Sequence, residues 1–123
     1  MAKRKLLIVM VNTDPRDPSQ LGAPFFQATV AAAMEVECEV VMTGRAGQLA
    51  MKGVAEGIRI KPDSPKTVYD FMKDAHEAGA KFKVCAPTLD LWGGDLIPEI
   101  EETVGGAYVI EQAMEDDVVT FTY

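Results

Sequence analysis

Cys85 is the residue of this 123-residue chain whose type and position offer the most chemistry. It ends an apolar segment, Lys81 to Ala86, and stands directly before Pro87-Thr88, where a strand is expected to hand over to a short helical segment. The positive end of a helix favours a thiolate, and thiol pKa values fall from about 8.5 into roughly the 3.5–7.5 range in such settings. A nucleophilic thiol is one reading. The competing one is burial, since free cysteine is among the most buried residue types and packs as a small hydrophobe. Cys38, near the start of the second expected strand, is read as a buried strand residue. In parallel strands the two cysteines would lie roughly 13–17 Å apart, whereas a disulfide needs Cα atoms within about 7 Å, so no pairing within the chain is expected.

Other polar residues fall where such a thiol would need neighbours. Asn12-Thr13-Asp14 follows the first apolar run and can grip a ligand or a neighbouring subunit, or simply form a turn. Thr43-Gly44-Arg45-Ala46-Gly47 has the makings of a short glycine-containing anion loop, because backbone N–H groups at a helix start bind oxyanions. It matches neither a P-loop nor a G-x-G-x-x-G fingerprint, so a phosphate or nucleotide enzyme has no specific support. His76, the lone histidine, has no Ser or Cys partner in evidence and is read as structural. Trp92 either walls a pocket beside Cys85 or serves packing or an oligomer contact. The acidic run Glu99, Glu101, Glu102 is read as a solvated face, and the seven methionines as core filler.

The elements that position these residues follow from periodicity. Lys5 to Val11 is a continuous apolar run, suited to a strand buried on both faces. A loop over residues 12–24 leads to a helix from Pro24 to Glu35. A strand over Glu37 to Thr43, a short helix over Ala46 to Lys52, and either a small strand or a packed connection at Ile58 to Ile60 come next. Ser64-Pro65 reads as the start of a helix that buries Val68, Phe71, Met72, Ala75 and Gly79. After the Cys85 strand, Thr88 to Gly94 is a turn or helical segment and Leu96 to Val104 has no defined element. Gly106 to Glu115 is expected to be a helix burying Ala107, Ile110, Ala113 and Met114, and Asp117 to Phe121 a last strand. Alternating strands and helices imply a single α/β domain over residues 1–123: a mainly parallel sheet of about five strands with helices on both faces, flavodoxin-like or related. Ligands of such sheets sit beyond the C-terminal strand ends, which here means just after Val11, Thr43 and Ala86.

Composition narrows the function. Hydrophobic residues make up 48% and charged residues 25%, which is globular rather than disordered. A net charge of -7, with basic residues clustered only at positions 3–5, argues against nucleic acid. No run approaches the roughly 18 apolar residues of a membrane span, and the first apolar run is too short for a signal peptide, so a cytoplasmic location is expected. With two cysteines, no C-x-x-C and no His/Cys grouping, neither a zinc site nor any other cofactor is called for.

Over nearly its full length the chain resembles the DsrE/DsrF-like family, which includes sulfur-relay subunits of the TusD type. The resemblance rests on the apolar first strand with its Asp/Pro loop, on Val40-Val41-Met42-Thr43-Gly44, and on Phe82-Lys83-Val84-Cys85-Ala86-Pro87. It extends through Gly105-Gly106-Ala107-Tyr108 and Asp117-Val118-Val119-Thr120-Phe121. It implies a parallel-sheet fold, a homo- or hetero-oligomer, and a cysteine, matched by Cys85, that carries sulfur as a persulfide or thiosulfonate without metal or nucleotide. Backbone amides near Pro87 and Thr88, the side chains of Asn12 and Thr13, and the loop at Gly44 are then expected to hold the sulfur group. A rhodanese or TusA-like protein is the expected donor or acceptor. Some members carry a second cysteine close to the active one; residues 87–123 hold none, so a resolving thiol within the chain is not expected. A non-catalytic module of the same fold, binding a small anion or a partner with Cys85 merely buried, is the alternative. The assembly is expected to be a trimer or hexamer, with the helix face of Phe25 and Phe26 buried between subunits.

Overall fold

A computed structural model describes residues 4–123; of the basic cluster at positions 3–5, Lys3 lies outside the described residues. Five parallel strands form one sheet in the order β4-β3-β2-β1-β5: β1 Lys5–Met10, β2 Glu37–Met42, β3 Lys81–Cys85, β4 Ile100–Val104 and β5 Val118–Thr122. Among the described residues four α-helices accompany them: α1 Gly22–Ala33, α2 Val68–Ala78, α3 Ala86–Trp92 and α4 Gly106–Ala113. The first four strands are laid down in one direction, and the chain then returns past β1 to place β5. Right-handed crossovers therefore put α1 and α2 on one face and α4 on the other.

The α1/α2 face holds the larger core. Leu6, Ile8, Met10, Val40, Met42, Phe82 and Val84 point into it from the strands and meet Phe25, Ala28, Met72 and Ala75. Phe25 packs its ring against Phe82 at 6.1 Å between centroids. Burial of Phe25 corrects the expectation that it faces a neighbouring subunit; Phe26, one residue on, is 66% exposed.

Three helix boundaries move for identifiable reasons. α1 begins at Gly22, so Pro24 is its third residue, still within the first turn, where a missing N–H costs no hydrogen bond. α2 starts at Val68 rather than Ser64-Pro65, because Thr67 and Asp70 form a reciprocal capping box: the Thr67 N–H donates to Asp70 at 2.9 Å and the Asp70 N–H to Thr67 Oγ1 at 3.3 Å. The short helix after β2 is a 3₁₀ segment, Gly44–Ala50. Ile58 to Ile60 is a connection, whose Ile58 carbonyl accepts from the Val68 N–H at 2.7 Å. β4, which has no clear sequence signature, is an edge strand with three exposed residues, and a register irregularity between Phe82 and Lys83 places Glu102 beside Lys83.

The second face has a small apolar cluster, Leu7, Val9, Val41 and Val104, under Tyr108, Val109 and Ala113 of α4. Ile110 and Met114, expected to be buried, are 66% and 77% exposed. Tyr108 takes their place as anchor because charge lies beneath the helix. Glu39 is buried on β2; it pairs with Lys5 of β1 and with Lys83 of β3 at 2.7 Å, and accepts from the Tyr108 hydroxyl. Lys83 also donates to Tyr108 Oη at 2.6 Å and pairs with Glu102 at 2.8 Å, and Lys5 donates to Gln112 of α4. Lys5 is thus part of this network.

Burial pushes the Glu39 carboxyl up, but the hydrogen bonds from Lys5, Lys83 and Tyr108 outweigh it and hold the pKa at about 2, against an ordinary 4.5. A carboxylate depressed on folding stabilises fully above its unfolded pKa and loses that contribution as pH falls through the folded one. Acid titration of unfolding is expected to show stability declining from pH 4.5 toward pH 2, with a weaker dependence in Glu39→Gln. Tyr108→Phe, which leaves two buried charges short of a partner, is expected to cost about 1–3 kcal/mol at neutral pH in denaturant unfolding.

Candidate functional site

The C-terminal edge of the sheet is built from three segments: the loop after β1, the turn into Gly44–Ala50 after β2, and α3 after β3. Asp14 and Asp17 order the first. Asp14 accepts from the Arg16 backbone at 2.9 Å and takes a two-pronged contact from its guanidinium at 3.1 and 3.0 Å. These Arg16 bonds lower the Asp14 carboxyl to about 2. Asp17 caps the short turn Pro18–Gln20.

The turn after β2 depends on glycine at two positions. Gly44 adopts φ +55°, and a Cβ there would fall 3.0 Å from the Val11 carbonyl oxygen. Gly47 lies against α3, where a Cβ would fall 1.8 Å from Thr88 Cγ2. Thr88 is buried, with its hydroxyl 3.4 Å from that of Thr43, and the Trp92 indole N–H donates to the Gly44 carbonyl at 2.7 Å. α3 is therefore tied to the turn at both ends.

Cys85 is the last residue of β3 and the N-cap of α3, with no capping bond from its side chain. Phe82 and Val84 point to the α1/α2 core and Lys83 to α4, so strand alternation puts Cys85 on the α4 face, paired in register with Val104. It is 8% exposed yet belongs to neither apolar cluster. Cys38 is 1% exposed inside the larger core, at the other end of the sheet and on the other face. Burial, with a further push from Glu39, raises its thiol to about 11. Both cysteines are free.

Of the residues singled out in the sequence, Gly44, Pro87 and Thr88 lie at the junction of α3 and the β2 turn, whose Ala46, Leu49, Ala50 and Leu89 pack into the larger core; Cys85 adjoins this junction in the chain, as the residue before α3. Asn12 and Thr13 do not lie there. They line a separate cleft of about 400 Å³ with Ser19, Gln20, Ala23 and Tyr123, over the ends of β1 and β5. Trp92 walls a third place, a cleft of about 240 Å³ with Asp14, Arg16, Arg45 and Gln48. Neither cleft includes Cys85. The arginines were not apparent as a pair in the sequence; the Asp14-Pro15-Arg16 spacing, which allows an Asp to hold the residue two positions on, is the one signal for them. The acidic run is divided, with Glu99 accepting from the Tyr69 hydroxyl at 2.8 Å and Glu102 paired to Lys83. Among the described residues no helix is long and apolar enough to cross a membrane.

Because Gly47 and Thr88 cannot both carry their full substituents, Gly47→Ala is expected to cost about 1–3 kcal/mol by overpacking. Thr88→Ser removes the offending Cγ2, so the double variant is expected to recover part of that loss in thermal unfolding.

The fold has solved relatives. Seven chains of solved structures match it. One, described as the crystal structure of the ychN protein from E. coli, superposes with a TM-score of 0.72 at 15% identity, covering 98% of this chain and 100% of its own. No curated protein matches in sequence. The sequence profile of the DsrE/DsrF-like family matches residues 5–121, from the first residue of β1 to the penultimate residue of β5. With sheet, helices and profile in agreement over that span, the chain belongs to the DsrE/DsrF-like family, a family associated with sulfur relay.

Proposed function

We propose that this protein is a cytoplasmic sulfur carrier in which Cys85 holds sulfur as a persulfide or thiosulfonate between a donor and an acceptor protein. The observation that carries the reading is the position of Cys85, at a C-terminal strand end of a parallel sheet in a family of sulfur-relay type. Cys38 is the contrast, a thiol inside the core with its thiolate form disfavoured.

The chemistry needs one sulfur atom only. The Cys85 thiolate attacks the outer sulfur of a donor persulfide; the donor S–S bond breaks, its thiolate leaves, and the sulfane sulfur remains on Cys85 with no net oxidation. An acceptor thiolate then attacks that outer sulfur and Cys85 leaves as thiolate. A rhodanese or TusA-like protein fits the donor role, and assembly into a trimer or hexamer is part of the proposal. In this proposal the backbone amides near Thr88, at the start of α3, orient the sulfur group.

The low exposure of Cys85 supports a second reading, a non-catalytic module that binds a small anion or a partner through the clefts at Asn12 and Arg45. Intact mass after treatment with polysulfide or tetrathionate separates the two. The carrier is expected to gain sulfur in the wild type and in Cys38→Ser, to lose that gain in Cys85→Ser, and to pass the sulfur to an added thiol. A folded wild type that gains no sulfur on Cys85, while a free thiol does under the same conditions, contradicts the carrier and leaves the module.

A further inference from the structure

The turn after β2 turns one side to the core and the other to a cleft. In a 3₁₀ segment side chains three residues apart eclipse one another, so Ala46 and Leu49 of Gly44–Ala50 share the buried side, and Arg45 and Gln48 share another. Gln48 donates its amide to the Arg45 carbonyl at 3.2 Å. Across the cleft stands the loop after β1, where Asp14 holds the Arg16 guanidinium and also reaches Arg45 at 3.5 Å. Two of the four arginines of the chain, from separate loops, thus meet at one carboxylate.

Two features go beyond a surface ion pair. Two guanidiniums against one carboxylate leave one positive charge here, in a chain that carries -7. Arg16 commits Nε and Nη2 to Asp14, and Arg45 only Nη1, so Arg16 Nη1 and the Nε and Nη2 of Arg45 donate to no described residue. Such forks match a carboxylate in geometry and in charge. The other feature is Trp92, at the far end of α3 and 42% exposed. Its indole N–H is committed to the Gly44 carbonyl at 2.7 Å, which fixes the ring, and among the described residues no aromatic ring or cation packs on its face. An indole whose polar edge is satisfied offers an apolar face for stacking.

We infer that the cleft of about 240 Å³ between Arg16, Arg45, Gln48 and Trp92 binds a small aromatic carboxylate, with its anionic group on the guanidiniums and its ring on Trp92. The volume lies below the roughly 300–1,000 Å³ of pockets for drug-sized molecules, so the cleft suits a single ring rather than a nucleotide. Its charge makes the same choice. One net positive charge is balanced by a monoanion, whereas a phosphate monoester brings about -1.5 to -2 at neutral pH, and Asp14 at the same place opposes the excess. The inference deepens the anion-binding reading above, on which it rests, by giving it a site and a ligand class. It requires no sulfur chemistry at Cys85.

Trp92 is the only tryptophan of the chain, so its fluorescence reports on the cleft directly. Benzoate is the probe, beside acetate as the charge without the ring and benzyl alcohol as the ring without the charge, all at constant ionic strength. Benzoate is expected to change the emission saturably at millimolar concentrations, and the other two to bind at least about tenfold more weakly, each lacking one of the two contacts. Arg45→Gln is expected to weaken benzoate about tenfold, the loss typical of one charge-assisted pair. Arg59→Gln removes the same charge outside the cleft and is expected to leave binding unchanged. Both arginines are exposed, so both variants are expected to keep the wild-type circular dichroism. Benzoate held equally by wild type and Arg45→Gln overturns the inference, as does acetate bound as tightly as benzoate, or no saturable binding of benzoate. Calorimetry separates that failure from a failure of the anion-binding reading, which falls as well only when acetate, phosphate and thiosulfate also find no site. Sulfur loading of Cys85, read by mass on the same samples, stands or fails on its own.

Discussion

Glu39 is a carboxylate almost wholly removed from water in the central strand of the sheet, and the second face of the molecule is organised around its neutralisation. Lys5 answers it from β1, Lys83 from β3 and Tyr108 from α4, while Glu102 on β4 takes the remaining charge of Lys83. Buried ion pairs are not in themselves a source of net stability, because desolvation offsets much of their attraction. Losing one partner is costly, however, since the survivors stay buried. The network therefore acts mainly as a register device, joining four strands and a helix that contributes no fully buried residue of its own. It also fixes the orientation of Cys85. With Phe82 and Val84 committed to the apolar core and Lys83 to Glu39, a slip of one residue in β3 would put a lysine among phenylalanines, so the sulfur two positions after Lys83 has one face available to it.

At the C-terminal edge of the sheet, backbone geometry rather than charge holds the turn after β2 and α3 together. Gly44 in a left-handed conformation and Gly47 in contact with Thr88 let the β2 turn and α3 approach more closely than any larger residue allows, and Trp92 fastens the far end of α3 to the Gly44 carbonyl. Cys85 sits at the near end, shielded but outside both apolar clusters. A carrier thiol needs these two properties together, because a persulfide exposed to bulk water and small thiols is discharged before it meets its acceptor.

The parallel sheet, the strands β1, β2, β3 and β5, and the strand-end position of Cys85 follow from patterns of long range: apolar runs at regular intervals, and a cysteine at the end of one of them, just before proline. Features set by pairwise geometry were not legible. α2 starts just after Thr67 because its hydroxyl and the Asp70 carboxylate satisfy each other's backbone N–H groups, which a proline two residues before Thr67 does not reveal. β4 escapes notice because an edge strand with exposed Glu101 and Glu102 has no apolar alternation. α4 keeps only Ala113 of its expected face against the sheet, since a stripe of Ala107, Ile110, Ala113 and Met114 looks like a core face until the charges beneath the helix are known, and those favour a tyrosine. Asn12 and Thr13, placed with Cys85 by the rule for strand ends, line their own cleft, because β1 adjoins β5 and has β2 between it and β3.

The central claim is that the folded chain presents Cys85, and not Cys38, to a sulfur donor. Alkylation of the native protein by a slight excess of iodoacetamide, resolved peptide by peptide in a mass spectrometer, measures this directly. The account predicts label on the Cys85 peptide while Cys38 remains unmodified until the protein is unfolded. Equal labelling of the two, or no labelling of Cys85 before unfolding, would contradict it.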